Sequence, residues 1–156
     1  MATWAMFARE APDLAKIGHE RLEDRVAFLA TMDRRGGPRV HPIAVWFQAG
    51  GLFVRMYPDS VKTRDLDRDP RYAMHSMVDN MEGEGGEFAI RGVAARVTDP
   101  QRLSDATEER VASDRYVVYE FEVSEALATS YSGERTVRTR WREDQATRPG
   151  EPSGAE

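Results

Sequence analysis

Apolar β-forming residues fill positions 25–32 and return over 39–47, with the polar, glycine-rich run Asp33-Arg34-Arg35-Gly36-Gly37-Pro38 between them. This pattern predicts a β-hairpin. A second turn, Gln48-Ala49-Gly50-Gly51, leads into a third strand, 52–56. Upstream, residues 3–22 read as helical, with Trp4, Phe7, Leu14, Ile17 and Leu22 as apolar contacts and Pro12 dividing the stretch into two short helices. Downstream, a short helix opens at Ser60. A strand follows over 72–78, then a polar glycine-rich loop over 79–86, then a long strand over 87–98 with a bulge or bend at Gly92. Asp99-Pro100 has the chemistry of a helix start, Asp as cap and Pro at the first helical position, and that helix is expected to run to Ala112. Residues 116–123 form another strand, 124–127 a turn and 128–131 a short strand. Ser132-Gly133 tips a final hairpin whose return strand is 136–141. From Glu143 onward the chain offers no apolar anchor, so 143–156 is expected to be a disordered tail. The expected organisation is one domain over 1–142, with helices at 1–22. No internal repeat is visible. The element order says a β-rich α+β fold, an antiparallel barrel or a strongly bent sheet.

Composition narrows the function classes. A chain of 156 residues with 40% hydrophobic content supports one packed core. A formal charge of -5 argues against a nucleic-acid partner. The absence of cysteine excludes disulfides and thiolate chemistry. No apolar run reaches the length of roughly 20 residues that spans a bilayer, so no membrane partner is expected. The first ten residues lack a basic start followed by a long apolar segment, which makes the cytoplasm the expected compartment.

The candidate chemistry sits at Arg55-Met56-Tyr57-Pro58-Asp59-Ser60-Val61-Lys62-Thr63-Arg64. Ser60 is a good N-cap, with Lys62 and Thr63 in the first turn. A helix N-terminus exposes unpaired N–H groups and partial positive charge, and so attracts phosphate. Arg55 ends the preceding strand, and a cation there needs a partner that a phosphate supplies. The plain alternative is an ordinary cap beside solvated cations. Arg39, His41 and Ile43 recur with period two on one strand and share a face.

Taken in order, Ala30-Thr31, Gly36, Pro38, Val40, Pro42, then Ser60, Lys62, Leu66 and Pro70 resemble the pyridoxamine 5′-phosphate oxidase-like family of flavin-binding split barrels. The resemblance continues through 72–76 and 88–94 and covers residues 20–123. It implies a split β-barrel of about six to eight antiparallel strands, Greek-key-like, with peripheral helices. It implies FMN as cofactor, with the deazaflavin coenzyme as close rival and haem as a further alternative. Lys62 and a hydroxyl near Ser60 would hold the ribityl phosphate, assisted by Arg55, Met56 and Thr63. The strand of Arg39, His41 and Ile43 would lie against the ring and reach the phosphate. Glu87 would present a polar group to the ring.

The resemblance also implies a homodimer with cofactor sites at the interface, for which Trp46, Phe47 and Tyr119 are candidate aromatics. In similar dimers C-terminal residues reach the partner's cofactor, a role open to Trp141. True pyridoxamine 5′-phosphate oxidases carry an Arg-Leu-His-type substrate motif there. Arg140-Trp141-Arg142 departs from it, which argues against vitamin-B6 oxidation. The implied activity is a flavin- or deazaflavin-dependent oxidoreductase acting on a small organic substrate, the alternative being a non-catalytic cofactor-binding module. No catalytic residue stands out.

Two further features read as structural. His19, His41 and His75 lack metal-ligand spacing, so no metal site is expected. Gly85-Gly86-Glu87-Phe88 spells a diguanylate cyclase signature, but the surrounding α/β domain is missing, and the glycines release a loop into a strand.

Overall fold

The computed structural model describes residues 1–107, 115–132 and 135–143. Two helices, α1 (Trp4–Glu10) and α2 (Pro12–Leu22), precede a hairpin of β1 (Val26–Met32) and β2 (Pro38–Ala44). Then come β3 (Trp46–Gln48), β4 (Gly51–Met56), α3 (Val61–Arg68), β5 (Arg71–Ser76) and β6 (Glu87–Arg96). The helix α4 (Pro100–Thr107) leads to β7 (Val117–Ser132) and β8 (Arg135–Arg142). All strand pairs are antiparallel, in the order β2-β1-β5-β6-β7-β4-β3, with β8 on β7. This is the β-rich α+β split barrel that the residue pattern and the family resemblance imply.

The strand expected over 39–47 is two strands. β2 pairs with β1 and β3 pairs with β4, so one extended segment changes partners at Val45 and joins the two edges of the sheet. Pro38 and Pro42 suit β2 to an edge, because proline donates no ladder hydrogen bond. The gap between β2 and β4 is the split of the barrel.

The turn expected at 124–127 is absent, and β7 runs through it. The polar Ser124 and Glu125 imitate a turn in sequence. In the fold, Glu125 faces Arg91 at 3.2 Å and Arg142 at 3.0 Å on the flanking strands. The slack in the ladder appears instead as a register shift between Arg91 and Gly92. A Cβ at Gly92 would lie 1.9 Å from the Glu122 carbonyl oxygen, so only glycine lets the strands approach there.

The core is a large cluster that includes Phe7, Leu29, Leu52, Phe88 and Phe121, with α1 and α2 packed against the barrel, and a smaller one of Trp46, Phe53, Ala106 and Val118. Arg21, 6% exposed, ties α2 to the loop after β5 by donating to Asp79 Oδ2 at 2.7 Å and to the Met77 carbonyl at 2.5 Å. The helix start at Asp99 holds, since its carboxylate accepts the Arg102 amide at 2.7 Å. Its expected end at Ala112, the hairpin tip at Gly133 and the tail beyond Glu143 lie outside the described residues. Among the described residues, no helix is long and apolar enough to cross a membrane.

Candidate functional site

The β1–β2 hairpin is set by its turn. The Asp33 carboxylate accepts the amides of Arg35 at 2.8 Å and Gly37 at 2.7 Å, while Gly36 takes φ +81°. The resulting register pairs Thr31 with Arg39, Leu29 with His41 and Ala27 with Ile43. Buried Thr31, Leu29 and Ala27 face inward, and Arg39, His41 and Ile43 share that face. At the end of the split, Ser60 caps α3. Its hydroxyl accepts the Thr63 amide at 3.3 Å and lies 2.8 Å from the Thr63 hydroxyl. The Thr63 hydroxyl donates to the Tyr57 carbonyl at 2.8 Å, and Thr63 is fully buried. Both hydroxyls therefore build the loop itself. The amides of Val61 and Lys62 are the first two of the helix, without partners inside it.

Two grooves flank this helix start. The first, about 220 Å³, lies in the split between β2 and β4. Its lining includes Ile43, Arg55, Met56, Tyr57, Lys62 and Tyr116. Arg55 lies over the Tyr116 ring at 5.2 Å, and the Tyr116 hydroxyl is 3.3 Å from that of Tyr57. Among the described residues neither Lys62 nor Arg55 has an ion-pair partner. The second groove, about 710 Å³, is lined by Arg34, Arg39, His41, Val61, Arg64, Asp65 and Arg68. The two adjoin, because the consecutive pairs His41-Pro42 and Val61-Lys62 each give one residue to either groove.

The floor between them is organised by Asp65, which is 2% exposed. It accepts from Thr31 Oγ1 at 2.9 Å, Arg68 Nη2 at 2.9 Å and Arg39 Nη1 at 3.3 Å. Burial pushes its carboxyl up, but the Arg68 and Thr31 hydrogen bonds and the Arg39 charge outweigh that and hold it below the ordinary value of 3.8. Thr31 Oγ1 also lies 3.1 Å from His41 Nε2. A hydroxyl has one proton, and the ionised carboxylate takes it. His41 Nε2 therefore carries the hydrogen in this contact, and in the neutral ring Nδ1 is an acceptor. Burial, then the Lys62 charge, depresses the His41 pKa below 6.5, which favours the neutral ring.

Of the sequence candidates, Ile43, Arg55, Met56 and Lys62 meet in the first groove, with Arg39 and His41 in the second. Ser60 and Thr63 shape the loop behind them. Glu87 lines neither groove. It accepts the Tyr131 hydroxyl at 2.9 Å and sits 3.7 Å from His75. Trp141 is corrected to a core residue. It is the one buried position of β8, packs on Phe7 at 4.9 Å and donates to Glu10 at 3.2 Å, so its own α1 covers it. The candidate interface aromatics are engaged within their own chain. Trp46 is buried and donates to the Ala106 carbonyl at 2.8 Å, Tyr119 is buried with its hydroxyl on Asp67, and half-buried Phe47 stacks on His19 and meets Trp4 at a tilt. The large apolar side chains left exposed on the hairpin are Val26, Phe28 and Val40. Thr31 entered only as part of the family motif, with no role, and Asp65 and Arg68 were not singled out in the sequence. An acid three residues before an arginine on a charged helix looks solvated, and only the hairpin packed beside it buries the acid.

The family model for pyridoxamine 5′-phosphate oxidase matches residues 16–130. No curated protein matches the chain in sequence. Solved structures share the fold. A NimC/NimA family protein from Clostridium acetobutylicum is 20% identical, with 88% of this chain and 95% of that chain covered and a TM-score of 0.63. A haem-binding protein from Mycobacterium smegmatis is 18% identical over 85% of this chain and 57% of that one, with a TM-score of 0.60. An F420 reductase is 18% identical over 69% and 94%, with a TM-score of 0.53.

Proposed function

Because the chain belongs to the pyridoxamine 5′-phosphate oxidase family, we propose that it is an oxidoreductase holding FMN, or the deazaflavin coenzyme, with the phosphate at the start of α3. The observation that carries this reading is the pair Lys62 and Arg55, two cations without ion-pair partners among the described residues, lining one groove beside a capped helix N-terminus. These residues fit a phosphate. Lys62 and Arg55 would supply charge, and the first amides of α3 would supply donors. Ile43 and Met56 give the groove an apolar wall for a ring. When bound, the ring supplies hydride or electron exchange with a small organic substrate. The protein's part is to bind, to orient and to exclude water. The neighbouring F420 reductase agrees with the deazaflavin alternative, and the haem-binding neighbour keeps haem as a third outcome. Vitamin-B6 oxidation is not proposed, since Trp141 is buried against α1 where a substrate motif would need access.

The same reading includes a homodimer with cofactor sites at the interface. Phe28 is 39% and Val40 65% exposed, and with Ala30, Ala73, Ala89 and Leu127 they line an apolar groove of about 300 Å³ on the outer face of the sheet. A second copy covering this face would bury that surface.

The test is the absorption spectrum of the purified protein, followed by titration with FMN, deazaflavin coenzyme and haem. Saturable binding of FMN or the deazaflavin with a Kd below about 100 μM, near -5.5 kcal/mol, is the expected result. Binding of haem alone, or of none of the three, would overturn the cofactor assignment.

A further inference from the structure

The helix that carries Lys62 is tied on two sides. Asp65 and Asp67 are two positions apart, about 200° around the axis at 3.6 residues per turn, so they leave α3 on different faces. Asp65 serves the hairpin, accepting from Thr31 and Arg39. Asp67 serves β6 and β7. Its Oδ2 accepts from Arg96 Nη2 at 2.7 Å, and its Oδ1 accepts the Tyr119 hydroxyl. The Arg96–Asp67 ion pair joins two half-exposed side chains, so water screens it and it fixes little. Tyr119 is different, because it is 1% exposed and its ring is held in the core. Burial, then the Asp67 hydrogen bond, pushes its hydroxyl up to about 12, so it stays a donor. The same residue also borders the opposite wall of the smaller groove. On β7 it pairs with Val54 of β4, next to Arg55, which pairs with Val118. Its backbone thus registers the strand that carries Arg55, and its hydroxyl reaches the helix that carries Lys62. These two cations line one groove without ion-pair partners among the described residues. Like charges repel, so their spacing has to come from the scaffold.

We propose that the Tyr119 hydroxyl is a positioning group for this site, holding α3 through Asp67 so that Lys62 and Arg55 converge on one phosphate. The inference rests on the phosphate reading of Lys62. Tyr119 lines neither groove and touches no ligand, so it acts only through Asp67. Removing the hydroxyl leaves the buried ring in place. It leaves Asp67 with Arg96 and water, and α3 becomes free to shift against β4. Charge-assisted hydrogen bonds hold donor and acceptor to about 2.7–2.9 Å, so a shift of about 1 Å costs a phosphate its contacts. The apolar wall of Ile43 and Met56 is non-directional and tolerates the same shift. The effect of losing the hydroxyl is therefore specific to phosphate.

The experiment titrates FMN and riboflavin, which lacks the phosphate, against the wild type, Tyr119→Phe, Asp67→Ala and Asp67→Asn. The ratio of the two affinities reads the phosphate site alone, because a general loss of stability or of groove shape weakens both flavins together. The wild type is expected to prefer FMN. Tyr119→Phe and Asp67→Ala are expected to lower that preference about five- to tenfold, with riboflavin affinity unchanged. Asp67→Asn keeps an acceptor for the hydroxyl and is expected to stay within about twofold of the wild type. A preference that is unchanged in Tyr119→Phe or in Asp67→Ala overturns the positioning role and leaves the phosphate reading standing. So does a loss in Asp67→Asn as large as that in Asp67→Ala, since charge rather than the hydroxyl would then hold the helix. The Asp67 side chain is half-exposed, so its variants carry the test if Tyr119→Phe does not fold. If only the deazaflavin coenzyme binds, the ratio is taken between it and its phosphate-free form. No preference for the phosphate form in the wild type, or no binding of either cofactor, overturns the phosphate reading and the positioning role with it.

Discussion

Thr31 donates its hydroxyl to Asp65 across 2.9 Å, joining a strand of the hairpin to the helix that carries Lys62. The hydrogen bond links two segments 34 positions apart in sequence. It commits the only hydroxyl proton of Thr31 and thereby fixes which nitrogen of His41 bears hydrogen. Arg39 and Arg68 are thus arranged around a buried carboxylate.

Replacing Thr31 by Val keeps the shape and removes the hydroxyl. His41 then loses its Nε2 acceptor, and Asp65 loses one of its donors. Nitrogen NMR of the imidazole should show the Nε2–H tautomer in the wild type and a tautomer mixture in Thr31→Val, with a stability loss of about 1 to 2 kcal/mol in urea unfolding. An Nδ1–H ring in the wild type would contradict the hydrogen-bond assignment.

Asp65→Asn should cost about 1 to 3 kcal/mol at neutral pH, because Arg39 and Arg68 lose their common acceptor. The folded carboxyl titrates below its unfolded value of 3.8. Its contribution is therefore complete above 3.8 and is lost as pH falls through the lower folded value. The stability gap between wild type and Asp65→Asn should shrink on acidification below about 3.8. A gap that widens there would reverse the sign of the argument.

Trp141→Ala should destabilise the chain by about 3 to 5 kcal/mol, the cost of emptying an aromatic site in a core. Trp141→Phe, which keeps most of the packing on Phe7, should fold and bind FMN with unchanged affinity. A specific loss of FMN affinity in Trp141→Phe, with stability kept, would return Trp141 to the cofactor site.

Charge placed on the outer face of the hairpin should disrupt association. The wild type is expected to scatter light as a dimer at micromolar concentration, and Phe28→Asp/Val40→Asp as a monomer with native circular dichroism. A monodisperse wild-type monomer would remove the homodimer from the proposal.

Much of this was legible in the chain. The Gly36-Gly37-Pro38 turn, the Pro12 division of the leading helices, the Ser60 cap and the Gly92 bulge are local signals, and each is where the residues place it. The failures are non-local. Nothing near Val45 says that a strand changes partners there, because both halves have the same apolar pattern. Ser124 and Glu125 look like a turn until Arg91 and Arg142 flank them. Trp141 is one aromatic among arginines, and its burial comes from a helix more than 130 positions away, through Glu10. Asp65 gave no signal, since the depth of a helix face depends on the hairpin packed against it.

The central claim is that Lys62 holds a phosphate, and the affinity of Lys62→Ala for FMN and for riboflavin, which lacks the phosphate, tests it most directly. Lys62 has no ion-pair partner among the described residues, so the variant should keep its fold. The account predicts that FMN affinity falls by about 1.5 to 3 kcal/mol, roughly 10- to 150-fold, while riboflavin affinity stays unchanged. An equal loss for both ligands, or no loss for either, would contradict it.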